Sequence, residues 1–221
     1  MGRGNSGRAK RAGGASGLAK LLNGKYVEGD AGEAAQAATE LLQAAQNAFD
    51  DFGMSGFTAV RFHEDKGSIF RGGEKAIAGV NGLDQLTINK KAISKPIKDS
   101  NGYLVSDTPA GHGAHEAGHA IVNGLLKTKV APNASNLEKA NARKNQSLEK
   151  TIIKEAKKRY GSNPVISGYG STKPAEKVAE AFSDVYANKK KAKPYSKVIV
   201  EVCKDINSGK FKPNIRLSNK I

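Results

Sequence analysis

Between residues 31 and 52 the chain sets Ala34, Ala38, Leu41, Ala45, Phe49 and Phe52 at intervals of three and four. That spacing predicts an amphipathic helix over 31–52, stopped by Gly53. The period then changes. FTAVRF (57–62), AIAGV (76–80) and QLTIN (85–89) are short, β-branched or aromatic, and parted by Gly, Asn and Asp turns, so a small antiparallel or mixed sheet is expected over 57–89, with QLTIN as its edge strand. After an irregular stretch containing Pro96, Asn101, Gly102 and Pro109, helical spacing returns in GAHEAGHAIVNGLL through Ala114, Gly118, Ile121 and Leu125, giving a helix over 112–126. Residues 135–160 are polar and read as one or two surface helices, opened by a capping box of Ser135 with Glu138 and ended at Gly161. SNPVISGYGST (162–172) is loop-like. Pro174 suits the first position of a helix over 174–187 whose stripe is Val178, Phe182 and Val185. PYSKVIVEVCKDINSG is apolar enough for either helix or strand, and no internal repeat is found.

Residues 1–18 mix Gly, Ser, Ala, Arg and Lys with few large apolar side chains, and are expected to form a disordered basic arm. The rest, 19–221, is of a size for one domain. No apolar run is long enough for a membrane span or a signal peptide, so the chain is expected to be cytoplasmic or carried in a phage particle. The formal charge of +15 is uneven: residues 1–123 carry 14 Lys and Arg against 13 Asp and Glu, and residues 124–221 carry 22 against 8. A basic C-terminal half attracts acidic partners or nucleic acid non-specifically. Basic residues do not alternate with aromatic ones there, which argues against a nucleic-acid stacking platform. Cys203 is the only cysteine, so a metal here would have to rely on His and carboxylate ligands.

His115, Glu116, Ala117, Gly118 and His119 supply that chemistry. The H-E-x-x-H pattern puts two imidazoles one helical turn apart on one face, where both reach a single Zn²⁺. Glu116 then lies beside the ion, placed to take a proton from metal-bound water and pass it to a leaving amine. His112, one turn earlier, is expected to support the site or the fold and not to ligate, and His63 lacks any such context.

A catalytic zinc usually keeps three protein ligands and an open position. The metzincin continuation fails, because Val122 stands in place of its glycine and Leu125 in place of its third histidine. The helix over 174–187 offers Glu176 and Glu180 at i and i+4. Glu176 is assigned to the metal, and Glu180 to the second ring N–H of a ligand histidine, with a solvent-facing carboxylate as its alternative. Tyr169, in a Gly-flanked loop, could aim its hydroxyl at the oxyanion of a peptide under attack.

HEAGH followed by SGYGSTKPAEKVAEAF resembles the two active-site segments of the anthrax lethal factor-like metallopeptidases, domains of a kind that also accompany phage minor head proteins and bacterial toxins. The resemblance covers about thirty residues in two blocks, of which the second is the more specific. It implies metal ligation by His115, His119 and Glu176 and catalysis by Glu116 and Tyr169, and the family's second glutamate is spaced as Glu180 is here. The long basic insertion between the blocks departs from the pattern.

The expected fold is α+β and zincin-like: a small twisted sheet packed on the active-site helix, with a mostly helical C-terminal half supplying Glu176. The expected function is that of a zinc-dependent endopeptidase with one Zn²⁺ per chain, although Mn²⁺ or Co²⁺ also suit a His₂Glu set. Two other functions are compatible with the sequence: a catalytically silent zincin-fold virion protein, and a basic nucleic-acid-binding protein with a structural metal.

Overall fold

The computed structural model describes residues 17–64, 76–95, 102–215 and 217. Most of the expected basic arm, residues 1–16, lies outside this set. Residues 17 and 18, expected to belong to it, lie instead in a short helical stretch over 17–22, in which Leu18 is buried.

The architecture is α+β. A four-stranded sheet has the order β1-β2-β4-β3, with β1 Tyr26–Glu28, β2 Ala59–His63, β3 Ala78–Val80 and β4 Gln85–Asn89. β1 and β2 are parallel, as are β2 and β4, and β3 runs antiparallel to β4 with Val80 opposite Leu86. The sheet is therefore mixed, and it starts earlier than expected, because β1 precedes the helix expected over 31–52. All three β1 residues are exposed, so no buried alternation marks the strand. QLTIN is not the edge. β4 is paired on both sides and β3 forms the border, since alternation of Leu86 and Ile88 reports one buried face and says nothing about lateral neighbours.

The helices are α1 Ala35–Asp51, α2 Pro109–Leu125, α3 Asn136–Lys144, α4 Ser147–Tyr160, α5 Pro174–Ser183 and α6 Pro194–Ser208, with a single turn at Lys90–Ile93. All six stripe residues of the first expected helix are buried, although its opening turn, Gly32–Ala34, is 3-10. α2 starts at Pro109, three residues before the expected boundary, because Thr108 caps it by accepting a hydrogen bond from Gly111 N at 3.0 Å. The 135–160 region is two helices separated at Gln146, whose φ of 51° breaks the first; the expected capping box at Ser135 and Glu138 is formed. α5 ends at Ser183 and continues as a wider turn, Asp184–Asn188, where regular helix was expected to 187. The ambiguous PYSKVIVEVCKDINSG run is helical, with Ile199, Val202, Cys203 and Ile206 on the buried side.

α2 lies at the centre, packed against α1 and α5. Two glycines permit this. A Cβ at Gly113 would fall 1.9 Å from the Leu41 carbonyl oxygen, so α1 and α2 meet backbone to side at that point. A Cβ at Gly118 would lie 3.0 Å from Phe182 Cβ and Cγ, so the glycine inside the H-E-x-x-H string is where α5 docks. The buried apolar residues form one core running from α1 through the sheet to α6. Among the described residues, no helix is long and apolar enough to cross a membrane.

Candidate metal centre

α2 and α5 bring three side chains to one point. His115 Nε2 lies 3.2 Å from His119 Nε2 and 3.2 Å from Glu176 Oε2, and His119 Nε2 lies 3.3 Å from the same carboxylate oxygen. α5 presents Glu176 in its first turn, where a carboxylate suits the helix N-terminus. Its N-cap Lys173 makes no side-chain cap; instead Gln146 Oε1, from the turn between α3 and α4, accepts from Ala175 N at 3.0 Å.

The three distances describe a nearly equilateral triangle. An ion bound tetrahedrally at about 2.0–2.1 Å holds its ligand atoms about 3.3–3.4 Å apart, so the triangle fits one face of such a polyhedron. Two imidazole nitrogens 3.2 Å apart can share no more than one proton, whereas all three lone pairs can serve one cation. The group can hold a metal ion.

His115 is oriented from behind. Its Nδ1 lies 3.0 Å from Glu180 Oε1, which favours the tautomer that leaves Nε2 free as a ligand. Glu180 is 2 % exposed, which removes the solvent-facing alternative for it; its other oxygen accepts from Val105 N at 2.7 Å, and Ser167 also bonds the carboxylate. Burial by itself would lower the proton affinity of His115, but the hydrogen bonds to Glu176 and Glu180, with the charge of Glu116, outweigh it and push the pKa up to about 10. Burial raises the Glu176 pKa, and the contacts with His115 and His119 overcome that and hold it far below the usual carboxylate range. The pocket is thus built to stabilise positive charge between these groups.

Glu116 stands apart from the triangle. Its Oε2 accepts from Val80 N on β3 at 2.9 Å, so the sheet edge fixes its direction. The Tyr169 ring lies over His115, with centroids 5.7 Å apart at 25°, and its hydroxyl bonds Glu176; burial and that carboxylate raise its pKa above the usual range. Tyr103 packs against Tyr169 at 5.7 Å, and Tyr169 N donates to the Tyr103 carbonyl.

No family model, curated protein or solved structure matches the chain. Of the residues singled out in the sequence, His115, His119, Glu176, Glu116, Tyr169 and Glu180 are gathered here. His112 is on α2 outside the triangle; its Nε2 is buried without a hydrogen-bond partner, and burial followed by the charge of His115 lowers its pKa to about 4. His63 faces Glu28 at 3.7 Å on the sheet. The sequence reading missed the backbone donors Val80 and Val105, Ser167 and Tyr103. Main-chain donors leave no residue-type signature, and a serine or tyrosine in a loop is too common to mark a site.

Proposed function

We propose that this chain is a zinc-dependent endopeptidase of the gluzincin kind, with the sheet above α2, the helical half below, and the cleft between them. The supporting observation is the triangle formed by His115 Nε2, His119 Nε2 and Glu176 Oε2 with Glu116 beside it. A divalent ion bound there would act as a Lewis acid toward a peptide carbonyl and make water a better nucleophile near neutral pH. Glu116 accepts the proton released by the attacking water and delivers it to the departing amine. Tyr169, freed from Glu176, donates its hydroxyl proton in a hydrogen bond to the oxygen that gains charge. Ala78 and Val80 belong to non-hydrogen-bonded pairs with β4, so their main-chain groups point away from the sheet and can pair with an extended peptide.

The test is metal content by mass spectrometry, followed by peptide hydrolysis. About one zinc per chain is expected, with H115A and E176A losing it, because a three-ligand site does not survive removal of one donor. E116Q is expected to keep the zinc and lose peptide hydrolysis by roughly 10²- to 10⁴-fold. Zinc retained by E176A, or full hydrolysis by E116Q, would overturn the assignment.

A further inference from the structure

A second compartment opens from the metal centre on the His119 side. It is a cavity of about 310 Å³ whose apolar walls are Val122 and Leu126, at the end of α2 and just beyond it, and Leu148 of α4. His119 and Glu176 also line it, and Arg143 and Glu149 come from the basic segment between the two motif blocks. That segment was expected to be a solvated surface. Lys150, Lys154, Lys157 and Lys158 of α4 are exposed as expected, and the segment in addition contributes Arg143, Leu148 and Glu149 to the cavity lining.

The two charged residues are not in equivalent states. Arg143 Nη1 donates to Gly82 O at 2.9 Å and to Asn123 Oδ1 at 3.2 Å, so its guanidinium braces the turn after β3. Glu149 forms no ion pair among the described residues; its carboxylate accepts from its own backbone N–H, and burial, outweighing that bond and the charges of His119 and Lys150, raises its pKa. A half-buried carboxylate with no cation in direct contact is costly and gains from an incoming one. Lysine and arginine match the compartment along their whole length, with an aliphatic stem for Val122, Leu126 and Leu148 and a charged head for Glu149.

We infer that this cavity receives a lysine or arginine side chain close to the scissile bond, and that Glu149 selects it. The inference rests on the peptidase reading. An uncharged long side chain would use the walls and leave Glu149 unpaired. An acidic one would face Glu149 and depend on Arg143, whose Nη1 is already engaged.

The experiment uses the zinc-loaded full chain, as wild type, E149Q and E149K, with two readouts. Cleavage sites in a randomised peptide library are mapped by mass spectrometry, and calorimetry measures binding of the hydroxamates of lysine, norleucine and glutamate. The expected result is one position enriched in Lys and Arg, a preference reduced about ten- to hundredfold in E149Q and reversed towards acidic residues in E149K. Cleavage without a basic preference, or a basic preference kept by E149Q, would overturn the role of Glu149 and leave the peptidase reading standing. Absence of cleavage, with lysine hydroxamate bound more tightly than norleucine hydroxamate in wild type but not in E149Q, would support the pocket and overturn the peptidase reading. Absence of both would overturn both.

Discussion

Replacing Gly118 by alanine tests how the two halves of the candidate metal centre are held in register. The new methyl would sit 3.0 Å from Phe182 Cβ and Cγ and 3.1 Å from Cδ2. Carbon atoms pack best at about 3.5–4.0 Å, so Phe182 must retreat by roughly half an ångström or more. It is fully buried, with Phe52 at 5.7 Å and Tyr186 at 6.0 Å between ring centroids, so the displacement passes to α5 as a whole. α5 carries Glu176 and Glu180, and the same shift opens the contacts of 3.2 and 3.0 Å that these make with His115. Stability feels two opposing effects. Alanine is favoured over glycine in a helix interior by about 1 kcal/mol, and overpacking costs about 1–3 kcal/mol. The net loss expected for the metal-free protein is therefore about 0–2 kcal/mol. Metal affinity carries the clearer signal, with a decrease of roughly 10- to 100-fold, the range seen when support of a ligand is disturbed. Urea denaturation reads the first quantity, and zinc titration against a chromophoric chelator reads the second. A G118A protein stabilised by the full helix increment, with unchanged zinc affinity, would refute the idea that this close approach seats Glu176.

Gly113→Ala faces backbone at 1.9 Å where Gly118→Ala faces a side chain, so it should destabilise by about 3 kcal/mol or more and be visible as a large drop in urea midpoint. Thr108→Ala removes the cap of α2 and should cost about 1 kcal/mol in the same assay, with no change in zinc stoichiometry. Asp51 joins α1 to Lys204 Nζ at 2.7 Å and to the Tyr186 hydroxyl at 2.9 Å; burial raises its pKa, but these bonds leave it below the ordinary carboxylate value. Its contribution is present above the unfolded-state pKa and is lost as pH falls through the folded one. Because the side chain is nearly half exposed, it is worth under about 1 kcal/mol. The midpoints of wild type and Asp51→Asn should differ near pH 7 and converge as the pH falls below the folded-state pKa of Asp51.

The helical frame was legible because burial along a helix leaves a periodic trace: the stripe from Ala34 to Phe52 and the run through Ala114, Gly118, Ile121 and Leu125 both face the core. The site was legible where chemistry depends on spacing along one helix, as for His115 with His119 and for Glu176 with Glu180. Sheet pairing was not. β1 buries nothing, and the pattern in β4 is the same for an edge strand as for an interior one. The contribution of the basic 135–160 segment was hidden for a different reason. Leu148 and Glu149 stand among lysines, and only the packing of α4 turns them toward His119. Gln146 gives no local sign that it caps a helix 29 residues further on.

The hydrogen bond between Val80 and Glu116 links two parts of the cleft that are distant in sequence. One N–H serves one strong acceptor at a time, so in the proposed peptidase a substrate carbonyl docking on β3 at Val80 would compete directly with the Glu116 carboxylate. Arrival of an extended chain and release of that carboxylate then become a single exchange. On that proposal a short ligand reaching only the histidines would leave the latch closed, whereas a chain long enough to lie along the strand would open it.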